Sequence, residues 1–384
     1  MSRDERQRLT RASSTDIMKW SSILLTLAAT VVAAPPKPPK PSDPPGPPGY
    51  PPLSPSKPGQ LPNSFKWTST GVLVTPKDDE RKIAGVKDPS IVFYKGAYHV
   101  FASSAKAEGY NLLYFNFTDI AKANDAPFFY LDQAPLGTGY RAAPQVFYFA
   151  PQKLWYLVYQ DNNAAYSTNP DISNPAGWTA PKVFYPNGTP ALIAEGLVTP
   201  QQGYWVDMWV ICDDKNCHLF SHDDNGRLYR SQTALKDFPN GMGEPVIALS
   251  EPRKEDLFEA SNVYRLDKET YLLLVECIGA GESGGGVRYF KSWTAKDLAG
   301  PWNALQSSQA NPFMGAVNVK FPRGQNWTVS ISHGEMVRTE VDQKLKLGPC
   351  GTWRFLYQGI NPGPTNATYN ALPWDLGLLT QDGC

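Results

Sequence analysis

Three acidic residues stand where an ordinary strand has no use for them: Asp88 in VKDPSIVFY, Asp207 in YWVDMWVIC and Glu259 in LFEASNVYR. Each opens an apolar β-run. Two more runs open on polar groups, RAAPQVFYF on Gln145 and ISHGEMVRT on His333 and Glu335. Burying a carboxylate in such a run costs several kcal/mol unless it is paired or performs chemistry. If the five openings converge, Asp88, Asp207 and Glu259 share one pocket. Glycoside hydrolysis uses a carboxyl pair about 5–9.5 Å apart that flanks the scissile bond, one of them protonating the leaving oxygen. Separate elements can supply that spacing, whereas neighbours on one strand cannot. A third, ionised acid beside the proton donor would raise its pKa by like-charge repulsion. Plainer readings exist: Asp88 precedes a proline, which forbids helix and removes a ladder donor, and Asp207 and Glu259 could be satisfied structural acids. Recurrence at equivalent points of a repeat weighs against three such coincidences.

The elements that must position these residues are strands. Most openings lead, after a short turn, to a second apolar run: AYHVFAS, LWYLVYQ, HLFSH or TYLLLVE. Apolar runs broken by Gly, Pro, Asn and Asp, with little helical periodicity, predict an all-β chain. A unit recurring five times predicts radial repetition of small antiparallel sheets, a five-bladed β-propeller whose first strands lie nearest the axis. The roughly 320 residues from Leu61 onward give about 64 per blade, somewhat more than the ~40–50 of familiar propeller repeats.

Composition narrows the function. Aromatic residues make up 12% of the chain, with 11 Trp and 19 Tyr, which suits sheet packing and stacking on sugar rings. Lys+Arg and Asp+Glu are 36 each, so nothing favours nucleic acid as a partner. Residues 1–34 read as a signal-peptide region. WSSILLTLAATVVAA is too short to span a bilayer but suits an export signal, and Met18-Lys19 makes a tidier start than the long, mixed-charge segment before it. Residues 35–60, dominated by proline, read as an extended linker or tail. Residues 61–384 form the single catalytic domain.

Of five cysteines, Cys212 and Cys217 flank a DDKN turn and suit a hairpin staple. Cys350 and Cys384 suit a tie between the last strand and the C-terminus, and Cys277 is left as a buried small hydrophobe. The CxxxxC pair lacks partners for zinc. Sequons at Asn116, Asn187, Asn326 and Asn366 fit secretion, with Asn116 reading as too buried for glycan. Gly281 to Gly285 match G-x-S-x-G around Ser283, but strands flank this segment on both sides, and a nucleophile elbow needs a following helix. Asp213, Asp214, Asp223 and Asp224 fall in hairpin turns and read as solvated.

At its acids the chain resembles glycoside hydrolase family 62, the α-L-arabinofuranosidases acting on arabinoxylan. The likeness runs from about Leu61 to Cys384 through GTGYRAAPQVFYFAPQKLWYLVYQ, SNPAGWTAPK, WVDMWVICDD, FEASNVY, SHGEM and LPWDLGLLT. The resemblance implies a five-bladed propeller and inversion of configuration. It implies Asp88 as general base, Glu259 as general acid, and Asp207 as the acid that tunes Glu259 and orients substrate. Lys106, Arg141 and Gln145 are candidates to bind furanose hydroxyls, and Tyr357 to wall the pocket. Tyr369-Asn370 resembles the family's xylan-contacting pair. His333 resembles a residue that ligates water or calcium in the axial channel, so no cofactor is required and a structural calcium has a place. The expected partner is arabinoxylan or its oligosaccharides, met by a secreted monomer that has no membrane association. Two rivals remain: an endo-arabinanase or β-xylosidase on a related propeller, and a non-catalytic carbohydrate-binding propeller.

Overall fold

The computed structural model describes residues 61–281, 286–363 and 365–384. The signal-peptide and proline-rich segments, the Met18 start and Ser283 lie outside the described residues. Strand β1 (Trp67–Ser69) is followed by blade 1: β2 (Gly85–Tyr94), β3 (Ala97–Lys106), β4 (Gly109–Phe117) and β5 (Phe129–Tyr130). Blade 2 comprises β6 (Ala142–Phe149), β7 (Leu154–Gln160), β8 (Ala164–Asn169) and β9 (Lys182–Val183). Blade 3 comprises β10 (Val206–Cys212), β11 (Asn216–His222), β12 (Arg227–Ala234) and β13 (Val246–Ser250). Blade 4 comprises β14 (Glu259–Arg265), β15 (Tyr271–Ala280), β16 (Gly286–Ala295) and β17 (Asn303–Gln306). After β18 (Val319–Lys320), blade 5 is laid down as β19 (Ser332–Met336), β20 (Arg354–Ile360) and β21 (Trp374–Gln381). Its sheet order is β18-β1-β21-β20-β19, so β1 from the start of the domain closes the last blade and the ring.

The apolar runs are near-continuous because each blade packs between two others and is covered on both faces. Thus β3 is buried from Tyr98 to Ala105 and β15 from Tyr271 to Cys277, each fully buried Leu or Val contributing about 1.5–3 kcal/mol. The turn between β2 and β3 is Lys95-Gly96, both at positive φ (48° and 83°), the geometry that a two-residue hairpin demands. Closure is sealed by antiparallel pairing of β1 with β21 and by Trp67 Nε1 donating to the Phe313 carbonyl at 2.7 Å, while the Cys350–Cys384 disulfide ties the end of the chain to the loop before β20. Cys212–Cys217 staples the β10–β11 turn, and Cys277 is free and buried. All four sequon asparagines are exposed. Asn116 therefore departs from its expected burial, lying at the outer edge of β4 with its amide on the Tyr114 hydroxyl.

The feature that positions the site is a bulge at the start of every inner strand. Register breaks fall between Lys87 and Ser90, Ala142 and Gln145, Val206 and Trp209, Glu259 and Asn262, and Ser332 and Gly334. In four of these the bulged residue is left-handed: Asp88 (φ 50°), Ala143 (51°), Asp207 (58°) and Ala260 (55°). Such a backbone costs of order 1 kcal/mol or more at a non-glycine residue and persists only when its surroundings over-determine it. Blade 5 instead places Gly334 after His333, where an added Cβ would lie 2.0 Å from the Leu356 carbonyl oxygen. A bulge re-aims side chains and ends regular pairing, which is how polar groups face the axis from an otherwise apolar strand. Glu259 aligns with Lys87, one residue before the position held by Asp88 and Asp207, so the three acids are not at strictly equivalent points of the repeat.

Candidate active site

The bulges bring Asp88, Asp207 and His333 together. His333 Nδ1 lies 3.4 Å from Asp88 Oδ1 and 3.7 Å from Asp207 Oδ2, although the three residues come from blades 1, 3 and 5. All three are largely buried. Burial would push the Asp88 carboxyl up, but Lys87, His333, the Ser103 hydroxyl and the Ala143 amide together hold it below the usual range. Asp88 is therefore ionised at neutral pH, as a base must be. The Lys87 ammonium sits 4.0 Å from Asp88 Oδ1 and over the rings of Tyr110 (4.7 Å) and Tyr369 (5.3 Å).

Asp207 differs. Burial first, then the charges of Glu259 and Asp88, raise its pKa well above the ordinary value. Asp207 is thus harder to ionise than an exposed aspartate. Its Oδ2 accepts from the Ala260 amide at 2.6 Å, the peptide next to Glu259. Glu259 is half-buried and meets Arg288 Nη1 at 3.1 Å. The same nitrogen lies 3.2 Å from Glu276 Oε1, and the guanidinium covers the Phe258 ring. Glu276 is fully buried. Burial and Glu259 raise its carboxyl to about 7 against the pull of Arg288, and its oxygens accept from Ser332 Oγ and the His333 amide.

Asp224 belongs to this cluster and is not solvated. In each blade the turn joining the second and third strands emerges on the face where the inner strand begins. Asp224, in the β11–β12 turn at φ 56°, therefore stands at the mouth. Burial and the charges of Glu259, Asp207 and Asp223 push its carboxyl up to about 9, and its Oδ1 has no hydrogen-bond partner among the described residues. Asp223 is also buried, held by Arg227 and Tyr229. Asp213 and Asp214 lie in the opposite-face turn, as solvent-side acids.

Several expected binding residues are placed elsewhere. Gln145 grips the Val210 backbone, donating through Nε2 at 2.8 Å and accepting through Oε1 at 2.7 Å, and so joins blades 2 and 3. Arg141 points at Asp161 (3.5 Å) and the carbonyls of Tyr140 and Leu136, bracing the rim. Tyr357 is wholly buried, its hydroxyl 2.8 Å from Ser69 Oγ and its ring against Trp327, so it belongs to the closing blade and not to a pocket wall. Lys106 lines an adjoining cleft of about 310 Å³ with Tyr110 and Tyr140, and the lysine among the acids is Lys87. Tyr369 and Asn370 lie on the β20–β21 rim loop, Tyr369 more than half exposed above Lys87. His333 was expected to ligate water or calcium. Calcium takes 6–8 oxygens, whereas one His333 nitrogen faces two carboxylates and no group of three or more metal-ligating side chains is assembled among the described residues. The donors fit a hydrogen-bonded imidazole better than a calcium. Sequence reading missed Lys87, Arg288, Glu276 and Asp224; the signal available for the first three was a charge inside an apolar run, in VKDPS, GVRYF and VECIG.

A closed five-bladed propeller with a lysine-paired aspartate, a buried acid cluster and an arginine-held glutamate around one axial mouth defines the glycoside-hydrolase type of propeller. The glycosyl hydrolase family 62 model matches residues 66–380, and the chain belongs to that family. It is 40% identical over 326 residues to alpha-L-arabinofuranosidase C of Cellvibrio japonicus, matching over 83% of this chain and 48% of that protein, so it spans about half of that relative's length. The catalytic domain of a family 62 α-L-arabinofuranosidase from Coprinopsis cinerea superposes with a TM-score of 0.79 at 61% identity, covering 84% of this chain and 98% of the other. A family 62 hydrolase solved in complex with xylotriose matches at the same TM-score of 0.79 with 59% identity, covering 83% and 98%.

Proposed function

We propose that the protein is a secreted, inverting α-L-arabinofuranosidase that removes single arabinofuranosyl side chains from arabinoxylan. The observation that carries the chemistry is the opposite electrostatic setting of its acids. Asp88 is held ionised by Lys87 and His333, while burial and neighbouring like charges push the Asp207 and Asp224 carboxyls up beside Glu259. In this reading Asp88 activates the water, Glu259 protonates the xylose oxygen as it leaves, and Arg288 with Glu276 keeps Glu259 in place. Lys87 lies between the roles, drawn by the charges of both Asp88 and Glu259. The names of the matched relatives support the arabinofuranosidase assignment, and a relative's xylotriose complex supports a xylan backbone across the mouth, where Tyr369 and Asn370 stand. The apolar segment at residues 20–34 and the two disulfides support export.

Incubation with wheat arabinoxylan and with linear arabinan tests this reading. Free arabinose from arabinoxylan with the xylan chain intact is expected. Shortened arabinan oligomers would indicate the endo-arabinanase alternative, and binding without release a carbohydrate-binding propeller. Glu259→Gln and Asp88→Asn are each expected to lower kcat by at least ~100-fold, the share of a placed acid or base.

A further inference from the structure

The five bulges are locked by a ring of clasps, and one of them is made differently. On each second strand, the residue paired with the last regular residue of the inner strand is Ser103, Gln160, His222, Glu276 or Gln358. Four of these accept the bulged amide of the following blade. Ser103 Oγ takes Ala143 N–H at 2.9 Å, Gln160 Oε1 takes Asp207 N–H at 2.9 Å, Glu276 Oε2 takes His333 N–H at 2.6 Å, and Gln358 Oε1 takes Asp88 N–H at 2.7 Å. By this pattern His222 should accept from Ala260. Instead the Ala260 amide goes to Asp207 Oδ2, from the inner strand of the same blade, at 2.6 Å. His222 is wholly buried, and neither ring nitrogen has a hydrogen-bond partner among the described residues. Its burial, with His333 nearby, pushes its pKa down to about 3, so it carries no charge.

We propose that Asp207 has taken over the blade 3 to blade 4 clasp from position 222, and that it positions Glu259 through the Ala260 peptide independently of its charge. Ala260 is left-handed at φ 55°, a backbone that relaxes without its anchor. Glu259 immediately precedes it, so loss of the clasp moves Glu259 relative to Arg288 and the substrate. Misplacement of a catalytic group by about 1 Å costs up to ~10²-fold in rate. The clasp itself stands on geometry; its catalytic consequence rests on Glu259 being the acid.

Four variants of the full chain test this: Asp207→Asn, Asp207→Ala, His222→Gln, and Asp207→Ala combined with His222→Gln. Asparagine keeps an oxygen for the Ala260 amide without the charge, whereas alanine removes both. Glutamine is what serves the same purpose at positions 160 and 358. Thermal midpoints are measured together with kcat and KM on an aryl arabinofuranoside across pH. Asp207→Ala is expected to lower the midpoint by roughly 3–8 °C, as for an orphaned buried amide, and Asp207→Asn by less than half as much. The double variant regains at least half of that loss, and its kcat exceeds that of Asp207→Ala by ~5-fold or more while KM and the altered pH profile stay as in Asp207→Ala. Equal destabilisation by asparagine and alanine, or no recovery in the double variant when His222→Gln alone folds, overturns the proposal. If His222→Gln does not fold, the asparagine–alanine contrast decides. If the wild-type chain releases no arabinose at all, the assigned activity falls, yet the thermal contrast still tests the clasp.

Discussion

A general acid matters in proportion to how poor the leaving group is. If Glu259 protonates the departing oxygen, an aryl arabinofuranoside with an acidic phenol needs that proton far less than xylan does. Glu259→Ala should therefore lose much more activity on arabinoxylan than on a nitrophenyl arabinofuranoside, by a margin within the ~10²–10⁴ attributed to proton transfer. Asp88→Ala should lose both about equally, because water must be activated whichever group departs. Equal losses on the two substrates for Glu259→Ala would remove it from the acid role. At this scale the sequence was legible where an acid stood inside an apolar run, which located Asp88, Asp207 and Glu259. Asp224 was illegible for a definite reason. Its turn, SHDDNG, has the composition of any solvated hairpin, and only the stacking of blades places that turn at the mouth and buries it. Lys106 was named as a furanose contact, and Lys87 drew no attention in the sequence. Lys87 is instead buried under aromatic rings and tied to Asp88.

At the scale of elements, the inner strands are designed around their bulges. Gln358 is the test case, because its Oε1 holds the Asp88 amide and its Nε2 donates to Ser332 Oγ at 3.0 Å. Gln358→Ala is expected to lower kcat on arabinoxylan by ~10-fold or more with a smaller change in KM, since Asp88, the proposed base, shifts while the rim proposed to meet xylan stays. An unchanged kcat would mean that the Asp88 bulge holds itself. The strands and their number could be read from the runs, since burial on both faces of a blade leaves a near-continuous apolar signature. The bulges could not: no local signal marks Ala143 or Ala260 as left-handed, because the amides that hold them are bonded by residues 40 and 53 positions away. Gln145 shows the same limit. An amide at a strand opening looks the same from sequence whether it faces a sugar or the Val210 backbone.

The described domain is a ring closed by β1 on β21, and a disulfide with a 34-residue separation ties the end of the chain to the loop before β20. Replacing Cys350 and Cys384 by serine should lower the thermal midpoint by roughly 4–10 °C, the entropic value of such a loop, with little change in kcat at 25 °C. The buried acids also give stability a direction in pH. Asp224 keeps its proton to about 9 when folded against an ordinary 3.8, so its contribution is complete at low pH and is lost as pH rises through its folded value. Glu276 acts likewise only to about 7, and the buried neutral His222 opposes the trend only below its ordinary 6.5. Between pH 7 and pH 9 the midpoint should therefore fall, and Asp224→Asn should flatten that fall. An identical slope in the variant would show that Asp224 does not hold the proton.

The account rests on single displacement at an α-arabinofuranosyl centre by water that Asp88 activates, with Glu259 protonating the leaving xylan. Proton NMR of wheat arabinoxylan during the first minutes of reaction tests it most directly. The account predicts free arabinose appearing first as the β-furanose, with other forms growing in only by mutarotation. α-Arabinofuranose as first product would mean a covalent intermediate and a carboxylate pair only about 5–5.5 Å apart; that result, or no free arabinose at all, would contradict it.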